Sequence, residues 1–268
     1  MPTAEEIKPH LKGTTLLSLC SPLNPTGTTF TKAELEAICD LVIAENQQRG
    51  DDEKKLYLLY DQIYWTLTYG AVQHFNPVSL RPAMKEFTIF IDGISKAFAA
   101  TGVRVGWAMG PAYLISKMKA INSHIGAWAP MAEQHALAAY LGQGELIDKY
   151  FIDFKTALED RLKSIYDGFQ QLKNEGFSVD AVAPQAAIYL TVQIDLAGKT
   201  TPEGKLLANQ TDVTAYLLDV AQLAIVPFSA FGASANSSWY RLSVGTCKKE
   251  EINEMLATLK TALEKLTD

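Results

Sequence analysis

The sequence has only three cysteines in 268 residues. Cys20, Cys39 and Cys247 are odd in number and far apart, and no C-x-x-C pair is present. This usage argues against a disulfide framework and favours a reducing, cytoplasmic environment. The four histidines are equally scattered, which is typical of surface or hydrogen-bonded core residues. No metal site is therefore predicted.

An excess of positive charge and long apolar runs are also missing. The net charge of −6 and the pI of about 5.3 argue against a nucleic-acid-binding surface. No apolar stretch reaches membrane-spanning length, and the first residues lack the pattern of a signal peptide. With 48% hydrophobic and 20% charged residues, the chain is expected to be globular and to bind neither nucleic acid nor membranes.

What the sequence does contain is a series of short apolar runs separated by helical patterns. Residues 14–20, 55–60 and 86–91 have the length and composition of strands, and a fourth strand is predicted over 103–109. Between the first two runs, Thr31 with Glu34 three residues later predicts a capped amphipathic helix. Apolar runs that alternate with helices indicate an α/β fold with a parallel sheet.

The second half of the chain has its own alternation of strands and helices. A long helical pattern from about Leu146 to Glu175 connects it to the first half. We therefore place a domain boundary near residue 150, which gives domains of residues 1–149 and 150–268.

Polar residues follow three of the predicted strands. Asn24 comes after the first strand, Asp61 and Tyr64 after the second, and Lys96 after the third. Alone, each has an ordinary interpretation as a turn, cap, core or surface residue. Because ligands bind outside the carboxyl ends of parallel strands, their occurrence at three successive strand ends favours a binding site.

Four segments carry a resemblance to a known family. "SPLNPTG", "YDQIY", "SKAFAATGVRVGW" and "WYRLSVG" resemble the signature blocks of class I/II aminotransferases. These are pyridoxal-phosphate enzymes with the aspartate-aminotransferase-type fold. The resemblance implies a partial large domain over residues 1–149, with a mostly parallel sheet flanked by helices. It implies a small α+β domain over residues 150–268, and a homodimer.

The resemblance also implies roles around the ring of the cofactor, pyridoxal 5′-phosphate. Lys96 forms the Schiff base with the cofactor aldehyde and carries a proton during catalysis. Asp61 pairs with the pyridine N–H, and Tyr64 and Asn24 hydrogen-bond the phenolate oxygen. Lys96, Asp61 and Tyr64 are thus the predicted catalytic residues.

Further implied roles concern the phosphate and the substrate. Arg104 binds the cofactor phosphate, and Ser95 adds its hydroxyl. Arg241 binds the substrate α-carboxylate, for which its planar two-donor geometry is suited, with Asn24 as a second substrate-binding residue.

The implied reaction is transfer of an amino group from an L-amino acid to a 2-oxo acid. Two alternatives remain open: a β-elimination lyase on the same fold, and a catalytically incomplete fragment or sensor domain. The second alternative arises because family members have a sizeable stretch before the N-P-x-G block, with a phosphate-binding loop and a ring-stacking aromatic residue. We expect a chain that lacks that portion. The donor amino acid is not determined by these motifs.

Overall fold

The structure, a computed structural model, describes residues 1–267. The chain forms two compact units. The first contains Met1–Leu23 and Thr28–Ile152, and the second contains Asn24–Gly27 and Asp153–Asp268. A short segment from early in the sequence thus belongs to the second unit.

A four-stranded sheet forms the centre of the first unit. Its strands lie in sequence order: β1 (Leu16–Cys20), β2 (Tyr57–Asp61), β3 (Thr88–Gly93) and β4 (Gly106–Met109). The β1–β2 and β2–β3 pairs are parallel, whereas β4 is antiparallel to β3. All four predicted strands of this half are present.

The first unit also contains helices. They are α1 (Ala4–Ile7), α2 (Lys32–Gln48), α3 (Pro77–Leu80), α4 (Ile94–Ala97), α5 (Ala112–Ile125) and α6 (Met131–Leu141). The long helix α7 (Gly144–Asn174) continues into the second unit. None of the helices within residues 1–267 has both the length and the apolar character needed to cross a bilayer.

Helix α2 has the predicted cap and packs into the core. The Glu34 amide donates to Thr31 Oγ1 (3.3 Å), and the Thr31 amide donates to Glu34 Oε2 (2.7 Å). Such a cap contributes about 1 kcal/mol to helix stability. Asn46, near the other end of α2, is buried and exchanges two hydrogen bonds with the Leu56 main chain. Helix α2 is therefore fixed to the sheet at the point where β2 begins.

The two outer strands of this sheet are partly exposed. Leu16 of β1 and Met109 of β4 are about half exposed, so these strands are not buried on both faces. Each has a hydrogen-bonded neighbour on one side only among the described residues. The predicted strand over 103–109 also begins later, at Gly106, because Arg104 adopts a left-handed conformation (φ 63°) that extended backbone cannot accommodate.

The second unit contains a four-stranded antiparallel sheet in the order β5-β6-β8-β7. The strands are β5 (Val179–Ala181), β6 (Tyr189–Ile194), β7 (Val226–Pro227) and β8 (Trp239–Ser243). Helices α8 (Gln210–Asp219) and α9 (Ile252–Glu264) complete the unit. Strand β5 was not predicted, since three residues carry too short a pattern.

The Asn24–Gly27 segment is tied to this sheet by main-chain contacts. Thr191 Oγ1 donates to the Thr26 carbonyl (2.9 Å), and the Ala186 amide donates to the Gly27 carbonyl (2.9 Å). Gly27 has a φ of +70°, and a Cβ there would lie 2.6 Å from the Tyr189 carbonyl oxygen. Glycine is therefore required both by conformation and by space.

Replacing Gly27 tests this close approach. We expect Gly27→Ala to lower the free energy of unfolding by about 1–3 kcal/mol more than Gly198→Ala, because the new Cβ overlaps backbone. Gly198 is a matched control: it lies in the same unit with φ +91° and open space around its Cβ position. Chemical denaturation of both variants measures the difference, and equal losses would contradict the contact.

His74 is a partly buried histidine whose surroundings lower its pKa. Its ring lies near Tyr60 and Trp65, with centroids 6.0 and 6.4 Å away, and neither nitrogen has a hydrogen-bond partner within residues 1–267. Burial lowers the pKa of His74 to about 4 because the charged form loses its hydration.

Folding stability should therefore depend on His74 in acid. The unfolded chain takes up this proton below about pH 6.5, whereas the folded chain does so only near pH 4. The contribution of His74 to the free energy of unfolding is therefore fully present at neutral pH and is lost as the pH falls from about 6.5 to about 4. At pH 5 the loss is about 2 kcal/mol. We expect His74→Phe to remove this loss. Chemical denaturation at pH 7.5 and at pH 5.0 measures it as the difference between the two free energies of unfolding. The same substitution at exposed His124 should leave the pH dependence unchanged.

Candidate functional site

The candidate site of the first unit is built on the carboxyl ends of parallel strands. Asp61 is the last residue of β2 and is paired in register with Cys20 of β1 and Ile91 of β3. Strand β3 ends two residues later, and Lys96 lies in the single-turn helix α4 that follows. The parallel register therefore brings the predicted Asp61 and Lys96 segments to one edge of the sheet, as the sequence indicated.

The loop after β2 holds Asp61 and Tyr64 in a tight turn. Asp61 Oδ1 accepts the Ile63 amide (3.0 Å), and the Gln62 amide donates to the Ile91 carbonyl of β3 (3.0 Å). Tyr64 is buried, and Asp61 is half-buried. The turn leaves Asp61 Oδ2 without a hydrogen bond to any residue in 1–267, so it remains available as an acceptor.

Lys96 is half-buried, and no acidic residue within residues 1–267 forms an ion pair with its amine. Its Nζ lies 6.0 Å from the centroid of the Tyr64 ring, a contact worth about 0.5–1 kcal/mol. In the part of the chain that the structure describes, Nζ makes neither a hydrogen bond nor an ion pair. Most surface lysines are solvated, so a half-buried amine next to a buried phenol is unusual and chemically available.

Ser95 and Arg104 are linked through Thr101. Thr101 Oγ1 donates to the Ser95 carbonyl (3.1 Å), and Arg104 Nη1 donates to the Thr101 carbonyl (2.7 Å). The left-handed conformation of Arg104 ends the 3₁₀ turn Thr101–Val103 and is followed by β4. The eight-residue spacing between Lys96 and Arg104 thus fits one compact turn, from which the exposed guanidinium can bind an anion.

Arg241 and Asn24 form a pair in the second unit. Arg241 Nη1 donates to Asn24 Oδ1 (2.9 Å), across 217 positions of sequence. The sequence placed Asn24 with Asp61 and Lys96, at an edge of the first sheet. The structure places it in the second unit, because its segment is bound to β6 and to the turn before it.

Two aromatic rings flank the Arg241 guanidinium. Its Cζ lies 4.6 Å from the centroid of the Tyr189 ring and 4.9 Å from that of Phe231. Such stacking suits arginine and restricts the plane of the guanidinium. Within residues 1–267, Nη2 has no hydrogen-bond partner. The arrangement can therefore present in-plane donors to a carboxylate.

Sequence reasoning missed a buried carboxylate near Lys96. Asp92 is the fifth residue of β3 and is only 6% exposed. Burial raises the pKa of Asp92, whereas hydrogen bonds from Gly93, Gln62 and Trp65 act to lower it. An acidic residue at the end of the apolar run 86–91, four positions before Lys96, was the available signal.

Comparison with known proteins identifies the family. The model for "Aminotransferase class I and II" matches residues 2–259. Among curated proteins, the chain is 33% identical over 270 residues to an aspartate aminotransferase of Geobacillus stearothermophilus. That match covers 98% of this chain and 60% of the relative. Against an aspartate aminotransferase of Rhizobium meliloti it is 30% identical, covering 93% of this chain and 56% of the relative.

Solved structures agree in fold. The crystal structure of the aspartate aminotransferase from Rhizobium meliloti superimposes with a TM-score of 0.86 at 28% identity, covering 100% of this chain and 62% of that one. The aromatic aminotransferase from Pyrococcus horikoshii gives 0.83 at 26% identity, covering 98% and 64%. The predicted α/β fold class is confirmed. The chain spans about 60% of the length of these relatives, and it belongs to the class I and II aminotransferase family.

Proposed function

We propose that this chain contributes the cofactor-binding lysine and the substrate-binding arginine of an aminotransferase. The reaction is transfer of an amino group from an L-amino acid to a 2-oxo acid. The observation that carries the proposal is the Lys96 amine, half-buried without an acidic partner in residues 1–267 and 6.0 Å from the Tyr64 ring. Family membership supplies the reaction class.

Pyridoxal phosphate is the cofactor of this family, and the side chains in the first unit fit it chemically. Lys96 offers an amine for the aldehyde, Asp61 an acceptor for the ring N–H, and Tyr64 a phenol for the ring oxygen. Arg104 and Ser95 would hold the phosphate, since a guanidinium with one N–H fixed on Thr101 keeps further donors for an anion. Asn24 is proposed to bind the cofactor or the substrate through its side-chain amide.

When bound, pyridoxal phosphate supplies an electron sink for the electron pair left at the substrate Cα after loss of its proton. Lys96 Nζ would take that proton and return it at the end of the half-reaction, as a general base and then a general acid. Asp61, fixed by the Ile63 amide, would accept the N–H of the cofactor ring. Tyr64 would limit the positions that Nζ can reach.

Arg241 would orient the substrate. A carboxylate on its free in-plane donors is bound in a defined direction, because the two nearby rings and Asn24 restrict the guanidinium. A fixed carboxylate in turn fixes the direction of the Cα–H bond that breaks. Part of the binding energy is thus used to orient the substrate for reaction. Relatives named aspartate aminotransferase suggest L-aspartate as the first donor to assay.

We also propose a homodimer in the cytoplasm. A homodimer is supported by an unusually apolar surface on α5, α6 and the turn between them, with large exposed side chains at Tyr113, Ile121, Ile125, Trp128 and Met131. A reducing compartment is supported by three cysteines that form no disulfide within residues 1–267.

Covalent attachment of the cofactor is the direct test of the Lys96 role. We expect borohydride reduction after addition of pyridoxal phosphate to label Lys96, and Lys96→Ala to abolish the label in peptide mass spectra. Lys96→Arg should also lose it, because the charge remains but the nucleophilic amine does not. Lys85→Ala, at an exposed lysine, is the control. Labelling that persists in both Lys96 variants would refute the assignment.

Substitution of Arg241 separates substrate binding from cofactor binding. We expect Arg241→Lys to raise the KM for the amino acid by at least about tenfold, equivalent to about 1.4 kcal/mol, while cofactor affinity changes little. Arg161→Lys is a matched control on α7 of the same unit. Equal loss of substrate and cofactor binding would contradict the carboxylate role. Release of pyruvate and ammonia without amino transfer would instead indicate a lyase.

A further inference from the structure

Asp92 is a buried acid without a cationic partner. It is more than nine-tenths buried, and in the described residues 1–267 no lysine, arginine or histidine forms an ion pair with it. Burying an unpaired carboxylate is costly, and an apolar residue would serve a strand interior better. The packing of β3 alone therefore does not explain an acid at this position, and the groups that Asp92 contacts indicate its role.

The carboxylate joins two segments of the candidate site. Asp92 Oδ1 accepts the Gly93 amide (2.7 Å), at the junction between β3 and α4. Asp92 Oδ2 accepts from Gln62 Nε2 (3.4 Å), in the loop that follows β2. The first segment leads to Ser95 and Lys96, whereas the second carries Asp61 and Tyr64 on either side of Gln62.

The same junction is tightly packed. A Cβ on Gly93 would lie 2.9 Å from both the Gly106 Cα and the Val105 carbonyl oxygen, and 3.6 Å from Ile63 Cδ1. The junction thus lies between β4 on one side and the loop after β2 on the other. Backbone packing sets its distance from β4, whereas side-chain contacts and the Gln62–Ile91 main-chain bond help to set its position against the loop.

We propose that Asp92 is a positioning residue that fastens the Asp61–Tyr64 loop to the β3–α4 junction and thereby fixes Asp61 and Tyr64 relative to Lys96 Nζ. The inference rests on the proposed function, in which those three side chains hold one cofactor. Asp92 acts through Gln62 and the Gly93 amide and does not itself meet the cofactor.

The experiment compares four proteins: the parent chain, Asp92→Leu, Asp92→Asn and Asn46→Leu. Leucine is close in size but accepts no hydrogen bond. Asparagine keeps an acceptor for the Gly93 amide, and Gln62 can turn its own amide to receive the new N–H₂ group. Asn46→Leu is the control, since it removes a buried double hydrogen bond at the opposite end of β2.

Two readouts are measured on each protein. The first is the rate at which acetic anhydride labels Lys96 in the cofactor-free chain, relative to exposed Lys265. The second is the dissociation constant for pyridoxal phosphate. We expect Asp92→Leu to accelerate Lys96 labelling at least threefold and to weaken cofactor binding about tenfold. Asp92→Asn should stay within threefold of the parent in both.

The Asn46→Leu control and the two Asp92 variants distinguish a positioning role of Asp92 from a role in stability alone. Asn46→Leu should be destabilised in denaturation yet keep both readouts near the parent. Changes in that control equal to those of Asp92→Leu would reduce Asp92 to a stability role and overturn the inference. Unchanged readouts in Asp92→Leu would overturn it as well, and so would an Asp92→Asn variant as impaired as Asp92→Leu.

The proposed function can fail separately. If the parent chain takes up no cofactor, the proposed function fails, and the labelling rates alone decide the role of Asp92. If Asp92→Leu does not fold, Gln62→Met removes the same link from the loop side. That variant should then accelerate Lys96 labelling as predicted for Asp92→Leu, and an unchanged rate would overturn the inference.

Discussion

The parallel register of β1, β2 and β3 is the constraint on which the chemistry of the first unit depends. A shift of one residue in the β2–β3 pairing would turn alternate side chains to the other face and move Asp61 away from the segment that carries Lys96. The register is held by a buried apolar core on α2 and by Asn46, which fixes the start of β2. Packing and hydrogen bonds near the amino ends of the strands therefore help to determine where side chains lie at their carboxyl ends.

The two units hold their charged side chains in place in different ways. In the first, a carboxylate is carried by the last residue of β2 and an amine by the single-turn helix after β3, where the sheet restricts their movement. In the second, a guanidinium lies in the middle of the antiparallel strand β8 and is restricted by two rings and one amide. Both arrangements place a reactive or binding group on a rigid element rather than on a long loop, as precise geometry requires.

Much of this organisation could be predicted from the sequence. Strand-length apolar runs and the Thr31–Glu34 cap are local signals, and the structure confirms the strands and the helix that they predicted. Other features depend on tertiary contacts that leave little local signal. Asn24 joins Arg241 because the Thr26 and Gly27 carbonyls accept hydrogen bonds from the distant Thr191 hydroxyl and Ala186 amide. Strand β5 has only three residues. The roles assigned to the site residues remain predictions from resemblance and proximity.

The Asn24–Gly27 segment makes the second unit discontinuous in sequence. Its contacts with Ala186, Thr191 and Arg241 span more than 150 residues, so forming them closes a very large loop. Contacts of this range raise contact order and favour slow, late steps of folding. A single cut near residue 150 would separate Arg241 from the asparagine that orients it. The position of Arg241 thus depends on residues translated before either sheet is complete, so the second unit cannot be cut out as one continuous segment.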